Sequence, residues 1–434
     1  RLATITDAKG KKQQLSYTSD DRIEGITHPD APAISYRYDA AFPRLAQMTD
    51  GSGTTSYRYG PVGAPGALQL AAITTPFGNA AITSSYDTAG QLTAMTVAGS
   101  KEGYTYDALG RLITTTNDLG TFHDDYLGET TAPTAEHLKG LLRPLSAYHY
   151  ERNRQDRRLA AIDHPRKARS YRYQSSPYTI DAIAEEGRNR DTTDWRFFYD
   201  AADRLVEAHG GFREDFAFDY DRSDNLTRMA TPDGTTIMRP DSTNAIRMLI
   251  QRRSGLPGPD RIRPTYDPNG NLTDDGEHHY TWDGTNHLTG IAYHGHPSWH
   301  TTLSYDGLDR LVTITEQDGQ SSTTQHLLWC GEAICGITDD KGQLITRLFD
   351  QGEWQQGKVL YYTKDHLGSI RDVLGTLPPL DELINLASYD YGPYGERLDQ
   401  GRGRRAGGSG LGSGDAGPDG RASPEAQDKR RGAI

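Results

Sequence analysis

Asp365 and His366, adjacent in the stretch KDHLGS, are the residues best suited by type to acid and base chemistry. A carboxylate beside an imidazole can orient the ring and stabilise its protonated form, as a general base requires. No G-x-S-x-G motif and no P-loop occurs in the sequence. The G-x-G-x-x-G spacing at Gly412, Gly414 and Gly417 follows no predicted strand, so we attribute it to composition.

Histidines and cysteines raise the question of a metal site. Five histidines lie close together in the sequence: His278, His279, His294, His296 and His300. No H-E-x-x-H or comparable ligand spacing accompanies them. The only cysteines, Cys330 and Cys335, have C-x4-C spacing without a second pair of ligands nearby. The sequence therefore predicts no metal, no cofactor and no catalytic residue, and it predicts that the cysteines are ordinary buried thiols.

The elements that must position these residues are short repeats with a fixed frame. An aromatic residue is followed by Asp at +1, by Gly, Asp or Asn at +4, and by Leu at +6. The seven full copies begin at Tyr86, Tyr106, Tyr199, Tyr220, Tyr266, Trp282 and Tyr305. An eighth copy, at Tyr38, reaches its leucine, Leu45, one residue late.

The frame describes a hairpin turn. Gly, Asp and Asn tolerate positive φ best, which is a backbone requirement, and Asp at a first turn position accepts bonds from backbone amides. We therefore predict a type I turn closed by a bulge, and we interpret Asp365 in the same way. The residues assigned to this structural frame are Tyr86, Asp87, Gly90, Leu92, Tyr106, Asp107, Gly110, Leu112, Tyr266, Asp267, Gly270, Leu272, Tyr305, Asp306, Leu311, Asp365 and Gly368.

Strands flank the turns. Tyr alternates with polar residues in Y-T-Y and Y-R-Y, and L-I-T-T-T supplies β-branched residues for a returning strand. An isolated hairpin is marginal in water, so the units must pair edge to edge. The predicted fold class is all-β, with tandem β-hairpin repeats in one continuous curled sheet. LPPLDELINLASY, residues 377–389, is predicted to be a short helix, because Pro precedes an acidic first turn.

Composition limits the partners. The 434 residues carry a formal net charge of -12, and residues 1–400 carry -15, so nucleic acid and anionic membranes should be repelled. No apolar run is long enough to span a membrane as a helix. Residues 399–434 are rich in Gly and Arg and are predicted to be disordered. The first residues, RLATITD, match the second half of the repeat, as expected for a piece of a longer protein.

The tandem Y-D-x-x-G-R-L repeats resemble those of RHS or YD-repeat proteins. Two further stretches, YYTKDHLGSIRDVLG (361–375) and YDYGPYGE (389–396), resemble the C-terminal core segment of that family. The resemblance covers roughly residues 1–398 and implies a hollow β-shell, including the core segment 361–398, which encloses a C-terminal toxin. It implies secretion or display at a bacterial cell surface, a cytoplasmic stage before export, and partners such as other shell segments, a secretion apparatus or an immunity protein.

This sequence departs from the family after Y-G-P-Y-G-E. Family members continue into a segment with a D-P-x-G stretch associated with self-cleavage, and neither that segment nor a toxin domain is visible here. Asp267-Pro268-Asn269-Gly270 has the D-P-x-G letters, but it fits the repeat frame, and we interpret it as a turn. The alternative function is a cell-surface module that binds carbohydrate or a neighbouring cell through exposed tyrosines.

Overall fold

Every regular element that the structure describes is a β-strand, and no described residue is helical. The structure is a computed structural model that describes residues 1–398 except for 79, 152–156, 174–178, 188–191, 212–213, 255–257, 259 and 378–381. With one exception, each strand pairs antiparallel with the next one in the chain, so the molecule is a long meander of hairpins. The predicted all-β fold of tandem hairpins is therefore confirmed.

The first sheet contains 24 strands. Most of these strands are five to eight residues long, as expected when two strands and two short turns fit a repeat of about twenty residues. They are β1 Thr4–Thr6, β2 Lys12–Tyr17, β3 Ile23–His28, β4 Ala31–Tyr38, β5 Leu45–Asp50, β6 Gly53–Tyr59, β7 Leu70–Thr74, β8 Ala81–Tyr86, β9 Leu92–Val97, β10 Ser100–Tyr106, β11 Leu112–Asn117, β12 Gly120–Tyr126, β13 Pro133–Leu138, β14 Ser146–Tyr150, β15 Leu159–Asp163, β16 Lys167–Arg172, β17 Ala182–Gly187, β18 Thr192–Tyr199, β19 Leu205–His209, β20 Asp215–Tyr220, β21 Leu226–Thr231, β22 Gly234–Pro240, β23 Ile246–Arg253 and β24 Asp260–Ile262.

The second sheet contains 13 strands. Its central strands β29 and β31 have ten residues each, longer than any strand of the first sheet. The strands are β25 Thr265–Tyr266, β26 Leu272–Asp274, β27 His278–Trp282, β28 Leu288–Tyr293, β29 His296–Tyr305, β30 Leu311–Asp318, β31 Ser321–Cys330, β32 Ala333–Thr338, β33 Leu344–Phe349, β34 Gly352–Gln355, β35 Lys358–Lys364, β36 Ile370–Leu377 and β37 Glu382–Ser388.

The predicted single sheet is interrupted once, between β24 and β25, where the ladder of backbone hydrogen bonds stops. Pro264 separates the two strands in sequence and has no amide hydrogen to donate to a ladder. A side chain crosses the interruption, because the Tyr266 hydroxyl donates to the Ile246 carbonyl at 3.1 Å. The meander therefore continues in space although its backbone ladder does not.

The helix predicted at 377–389 is wrong. Residues 382–388 form β37, which pairs with β36 from Asp372–Ser388 to Thr376–Leu383. The stretch E-L-I-N-L-A-S can extend with Leu383 buried against the neighbouring strand, and tertiary pairing overrides its helix propensity. The Pro-rich start of the predicted helix, residues 378–381, lies outside the described residues.

The two sheets lie against each other, and their contacts occur in the same order along both. The sequence separation between partners is 261 residues at the first pair and 174 at the last. Residues 269–394 therefore run beside residues 8–220, a shorter path beside a longer one, and the meander winds as a narrowing spiral. We call this line of contacts the seam; it pairs Ala8 with Asn269, Asp50 with Gly307, Glu102 with Arg347, Leu119 with Tyr361, His164 with Lys364, and Tyr220 with Tyr394.

The hydrophobic core lies along the seam. One cluster joins Ile73, Phe77 and Val97 of the first sheet to Val312 and Leu328 of the second. A further cluster joins residues of β12–β14 and their turns to residues of β33–β37: Leu119, Phe122, Leu138, Leu145, Phe349, Tyr361, Leu374 and Leu383. Burial of this apolar surface holds the second sheet against the first.

The sequence predicted two free thiols, and this prediction is wrong, because the two cysteines form a disulfide. Cys330 ends β31, Cys335 lies in β32, and their Cα atoms are 5.6 Å apart. The prediction dismissed a disulfide because a single pair of cysteines does not make a disulfide scaffold, but the hairpin of β31 and β32 brings these two side chains together. A separation of this size is within the range that disulfides span.

The remaining predictions about segments concern membranes and the tail. Among the described residues there is no helix that could cross a membrane. The predicted disordered tail, 399–434, lies outside the described residues, so its state stays a prediction.

Candidate functional site: the hairpin turns and the seam

The turn at Asp107 shows how the repeat frame folds. The Asp107 carboxylate accepts from the backbone amides of Leu109 and Arg111, both at 2.9 Å. The amide of Gly110 donates to the Asp107 carbonyl, and the register of β10 and β11 shifts between Thr105 and Tyr106. The result is a tight turn followed by a bulge, in which the aspartate satisfies amides that the strands leave free.

The residue at +4 has positive φ in all seven full copies of the frame and in the KDHLGS copy, as the sequence predicted. This conformation is costly for most residues and explains the restriction to Gly, Asp and Asn. The values are Gly90 82°, Gly110 80°, Asp203 59°, Asp224 62°, Gly270 90°, Asn286 65°, Asp309 60° and Gly368 81°.

The motif aromatics form a ladder that sequence reasoning missed. The Tyr106 hydroxyl donates to the carbonyl of Leu92, the +6 leucine of the preceding copy, at 2.8 Å. β9 and β10 pair only as far as Ala94 and Gly103, so the phenol spans the ends that the backbone ladder leaves unpaired. The same bond to the previous unit is made by Tyr17, Tyr38, Tyr59, Tyr86, Tyr126, Tyr150, Tyr173, Tyr199, Tyr220, Tyr266, Trp282 and Trp329.

The residue at +5 connects one turn to the next and was also missed. Arg111 binds the Asp107 carboxylate of its own turn at 2.7 Å and the Gly128 carbonyl of the next turn at 2.7 Å. Its guanidinium also lies 4.7 Å from the centre of the Tyr126 ring. A signal was present in the sequence, because Arg, Gln, Asn or His fills +5 in every full copy, and each of these side chains can donate a hydrogen bond.

The Asp267 turn occupies the seam. Its carboxylate accepts from the Asn271 amide and lies 2.7 Å from the Lys9 ammonium of the first sheet. The Leu272 carbonyl accepts from the Trp282 indole. The D-P-x-G letters at 267–270 therefore form an ordinary frame turn.

The Asp306 turn is the most buried of the predicted frame turns. Asp306 is only 5% exposed and binds Arg310 at 2.6 Å. Tyr305 stacks on His287 with ring centres 4.5 Å apart, and the Leu311 carbonyl accepts from the Trp329 indole. The structure thus places Tyr305, Asp306 and Leu311 together at the motif edge of the second sheet, the edge formed by the frame turns.

Asp365 and His366 are engaged with different parts of the structure. The Asp365 carboxylate accepts from the amides of Leu367 and Ser369 in its own turn. His366 packs instead against Tyr171 of the first sheet with ring centres 4.7 Å apart, and burial lowers the pKa of its imidazole. The pair is a turn aspartate and a packing histidine.

Three of the five clustered histidines, His278, His279 and His294, lie beside aspartates. His278 is 3.2 Å from Asp275, and His294 is 2.9 Å from Asp274. Within the described part of the chain, no three His, Cys, Asp or Glu side chains are grouped so that they could hold a metal ion.

Glycines allow the close approach of the two sheets. At Gly284 an added Cβ atom would lie 1.7 Å from His28 Nδ1, and at Gly307 it would lie 2.6 Å from Ile34. The Gly307 carbonyl accepts from the hydroxyl of Tyr36, whose pKa burial raises to about 12. These two turns are therefore fitted to the first sheet.

Charged groups are buried where the sheets meet. Arg347, 1% exposed, binds Glu102 at 2.9 Å and the carbonyls of Cys335 and Leu348 at 2.6 Å. Removal of one partner from such a pair is strongly destabilising, because the remaining buried charge has neither a counter-ion nor hydrating water.

Two carboxyl groups face each other across β12 and β13. Asp124 and Glu136 are directly opposite in register. Burial raises the pKa of Glu136 to about 7 and that of Asp124 to about 6, and the neighbouring Asp350 adds to both shifts. Like charges in opposite positions repel, so a proton on this pair stabilises the pairing.

The same turn also occurs at the far edge, the edge opposite the frame turns, without a preceding tyrosine. Asp7 accepts from the amide of Lys11, and Asp339 accepts from that of Gln343. Gly10 and Gly342 have φ of 77° and 74°. Both turns have the sequence D-x-K-G. A repeat frame that did not require a preceding aromatic residue would have predicted them.

Comparisons with known proteins agree with this architecture. The family model of the teneurin YD-shell matches residues 1–138. The tRNA3(Ser)-specific nuclease WapA of Bacillus spizizenii is 25% identical over 138 residues, which are 30% of this chain and 6% of that protein.

Solved structures share the fold over most of the chain. The crystal structure of TcdB2-TccC3-TEV has a TM-score of 0.61 at 12% identity, and the match covers 89% of this chain and 24% of that one. A Photorhabdus luminescens Tc holotoxin pore with a mutated TccC3 gives 0.55 at 12% identity, with 89% and 24% covered. The crystal structure of TcdB2-TccC3 gives 0.55 at 11% identity, with 91% and 28% covered. The chain therefore shares its fold with these solved structures, and residues 1–138 match the family model of the teneurin YD-shell.

Proposed function

We propose that residues 1–398 are part of a shell wall that encloses and sequesters a toxin segment of the same polypeptide, in a bacterial competition or insecticidal system. The observation that carries the proposal is the narrowing spiral, in which the second sheet runs beside the first in the same order. A wall that winds on itself can close around a volume, which a flat sheet cannot.

The enclosed side is the tyrosine face, the face on which Phe122, Asp124 and Tyr126 of β12 alternate with outward residues. Residues of the second sheet pack on this face, as Leu374 does near Phe122. The sheet therefore curls toward the tyrosine face. The proposed role of the wall is steric and structural, so it requires no catalytic residue.

The relatives support a container rather than an adhesive surface. The matching structures are of TcdB2-TccC3, and WapA is a tRNA3(Ser)-specific nuclease. This chain spans about a quarter of the matching Tc chains. The enclosed toxin and the partner component therefore belong to the proposal for the whole protein.

Export to an oxidising compartment fits the Cys330–Cys335 disulfide, since such bonds persist outside the cytosol. The proposal places the mature protein outside the producing cell and its synthesis in the cytoplasm. Its partners are then the other shell segments, the enclosed toxin, a secretion apparatus and an immunity protein.

Limited proteolysis of the longest natural polypeptide that contains this region tests the proposal. Mass spectrometry of the fragments should show a segment beyond residue 398 that resists protease until denaturant opens the shell. If everything beyond residue 398 is digested at once while the repeats survive, the segment is not enclosed, and a binding module on the cell surface becomes the better function.

A further inference from the structure

Arginines are concentrated on the last four strands of the first sheet. The whole chain carries a formal net charge of -12. Residues 226–263, which include β21–β24, contain seven Arg, no Lys and three Asp, so their net charge is +4. This segment therefore reverses the overall sign of the chain's charge.

Cross-strand pairing arranges four of these arginines around two isoleucines. Phe218 of β20 lies on the tyrosine face, so Asp219 and its cross-strand partner Arg228 lie on the opposite, outer face. From there a straight row of directly opposite residues crosses β21–β24: Arg228, Ile237, Ile250 and Arg261.

Two more arginines flank the row. Arg239 and Arg252 lie two residues beyond the isoleucines along β22 and β23, so they are on the same face. Arg239 is opposite Met248, whereas Arg252 is opposite Thr235, which places the two arginines on opposite sides of the row. We call this group the basic patch; it consists of Arg228, Ile237, Arg239, Ile250, Arg252 and Arg261.

The arginines of the basic patch have few contacts of their own. Arg239, Arg252 and Arg261 are exposed, and none of them forms an ion pair with a residue that the structure describes. Arg228 lies 3.4 Å from the exposed Asp219, and surface pairs of this kind contribute little. Ile237 is 37% exposed. A partner therefore meets available guanidinium groups around an apolar centre.

The chemistry of the basic patch favours an acidic polypeptide. An apolar centre with a polar border is typical of protein–protein interfaces, in which arginine is enriched. Guanidinium groups bind carboxylates through two parallel hydrogen bonds. Nucleic acid and anionic membranes fit less well, because the six residues of the patch include no aromatic ring on which a base could stack, and the acidic body repels both.

The row sets the spacing of the acids that it can bind. Arg228 and Arg261 are three strands apart, which is about 14 Å at a strand spacing of about 4.8 Å. In an extended chain, side chains four residues apart lie on one face about 13 Å from each other, and the residue midway between them is on the same face. Acids at both ends of such a segment match the two ends of the row.

We propose that the basic patch binds an extended segment of a partner protein with the pattern acid-x-apolar-x-acid. The acids pair with Arg228 and Arg261, the apolar side chain lies on the two isoleucines, and Arg239 and Arg252 border the segment on its two sides. This interaction goes beyond enclosure, since it uses the face opposite the enclosed one.

Titration of the whole chain, labelled with nitrogen-15 in arginine, tests the patch with the peptide acetyl-Gly-Glu-Thr-Leu-Thr-Glu-Gly-amide. The Nε signal of Arg239 reports binding and is assigned by its loss in Arg239→Gln. One matched peptide carries Gln in place of both Glu, and another, acetyl-Gly-Thr-Glu-Glu-Leu-Thr-Gly-amide, keeps the composition but brings the acids together. The variant Arg261→Gln removes one end of the row, and Arg58→Gln, at an exposed position on the outer face of β6, is its control.

We expect a saturable shift of the Arg239 signal, with about tenfold weaker binding of the Gln peptide and about threefold weaker binding of the rearranged peptide. Arg261→Gln should weaken binding about fivefold, and Arg58→Gln should leave it unchanged. Equal binding of the three peptides, equal binding to the two variants, or no shift with any peptide would overturn the proposal. A shift produced only by phosphatidylserine vesicles, or only by an oligonucleotide, would also overturn it and assign the patch to a membrane or to nucleic acid. None of these outcomes depends on whether the shell encloses a toxin.

Discussion

The turn at Asp107 and the turn at Asp306 have the same internal bonds but different surroundings. In both, the aspartate accepts from amides two and four residues later and binds the arginine at +5. The Asp107 turn faces solvent at an exposed part of the motif edge of the first sheet, which we call the rim. Asp306, in contrast, is 5% exposed, and Gly307 fits against Ile34 and Met48 of the first sheet.

The repeat frame specifies a turn but does not specify which residues the turn contacts. At the rim, the position after aspartate is Ala108, whereas in the seam turns at Asp283 and Asp306 it is Gly284 and Gly307. These two turns have no side chain at the position where the other sheet approaches. Stability should therefore respond to changes in the seam far more than to the same changes at the rim.

The largest expected effect is the loss of a buried charge partner in the seam. Glu102→Ala leaves Arg347 buried without its carboxylate, and we expect a loss of about 3–5 kcal/mol in the free energy of unfolding. Urea denaturation followed by tryptophan fluorescence measures it. Asp219→Ala, which breaks the exposed pair with Arg228, should cost at most about 1 kcal/mol; equal losses would remove the distinction between seam and surface.

The second expected effect is a dependence of stability on pH. The folded pKa of Glu136, about 7, lies above its value of 4.5 in an unfolded chain, so the folded state holds a proton that the unfolded state has released. Stabilisation is complete below pH 4.5 and is lost as pH rises toward 7, by about 3 kcal/mol at most. The difference between the urea midpoints at pH 5 and pH 8 should therefore be smaller in Glu136→Gln than in the wild type, and Asp124 accounts for part of the difference that remains. A variant as pH-sensitive as the wild type would contradict this assignment.

Exchanging Gly and Ala at the position after aspartate should also destabilise the seam more than the rim. Gly284→Ala places a methyl group against His28, and overpacking of this kind costs about 1–3 kcal/mol. Ala108→Gly makes the reverse change at the rim and should cost less than about 1 kcal/mol. Thermal unfolding monitored by circular dichroism compares them. If the two variants lose the same stability, the close fit of Gly284 is unimportant.

The smallest expected effect concerns the aromatic ladder. Tyr126→Phe removes the hydroxyl that donates to the Leu112 carbonyl at 2.6 Å but keeps the ring, and we expect a loss of about 1 kcal/mol. Tyr17→Phe removes the corresponding bond at the exposed end of the first sheet and should cost less. Urea midpoints measure both. An unchanged midpoint for Tyr126→Phe would show that ring packing alone holds the units together.

Local features of the frame could be predicted because their causes are local. Positive φ at +4 follows from the exclusive use of Gly, Asp and Asn, and the strands follow from the alternation of Tyr with polar residues. The helix at 377–389 was predicted from the same kind of local signal and is wrong, because pairing with β36 decided the conformation of 382–388. The disulfide was missed because hairpin geometry, and not spacing alone, brings Cys330 and Cys335 together.

By itself the sequence determined the hairpins, their turns and the all-β class, since each depends on bonds within about twenty residues. Only the tertiary structure decided which turns lie in the seam, where the spiral narrows, and how Glu102 meets Arg347 across 245 residues. The physical reason is that a repeat frame is nearly the same in every copy. The curvature that brings distant copies together is a sum of small twists, which no single copy records.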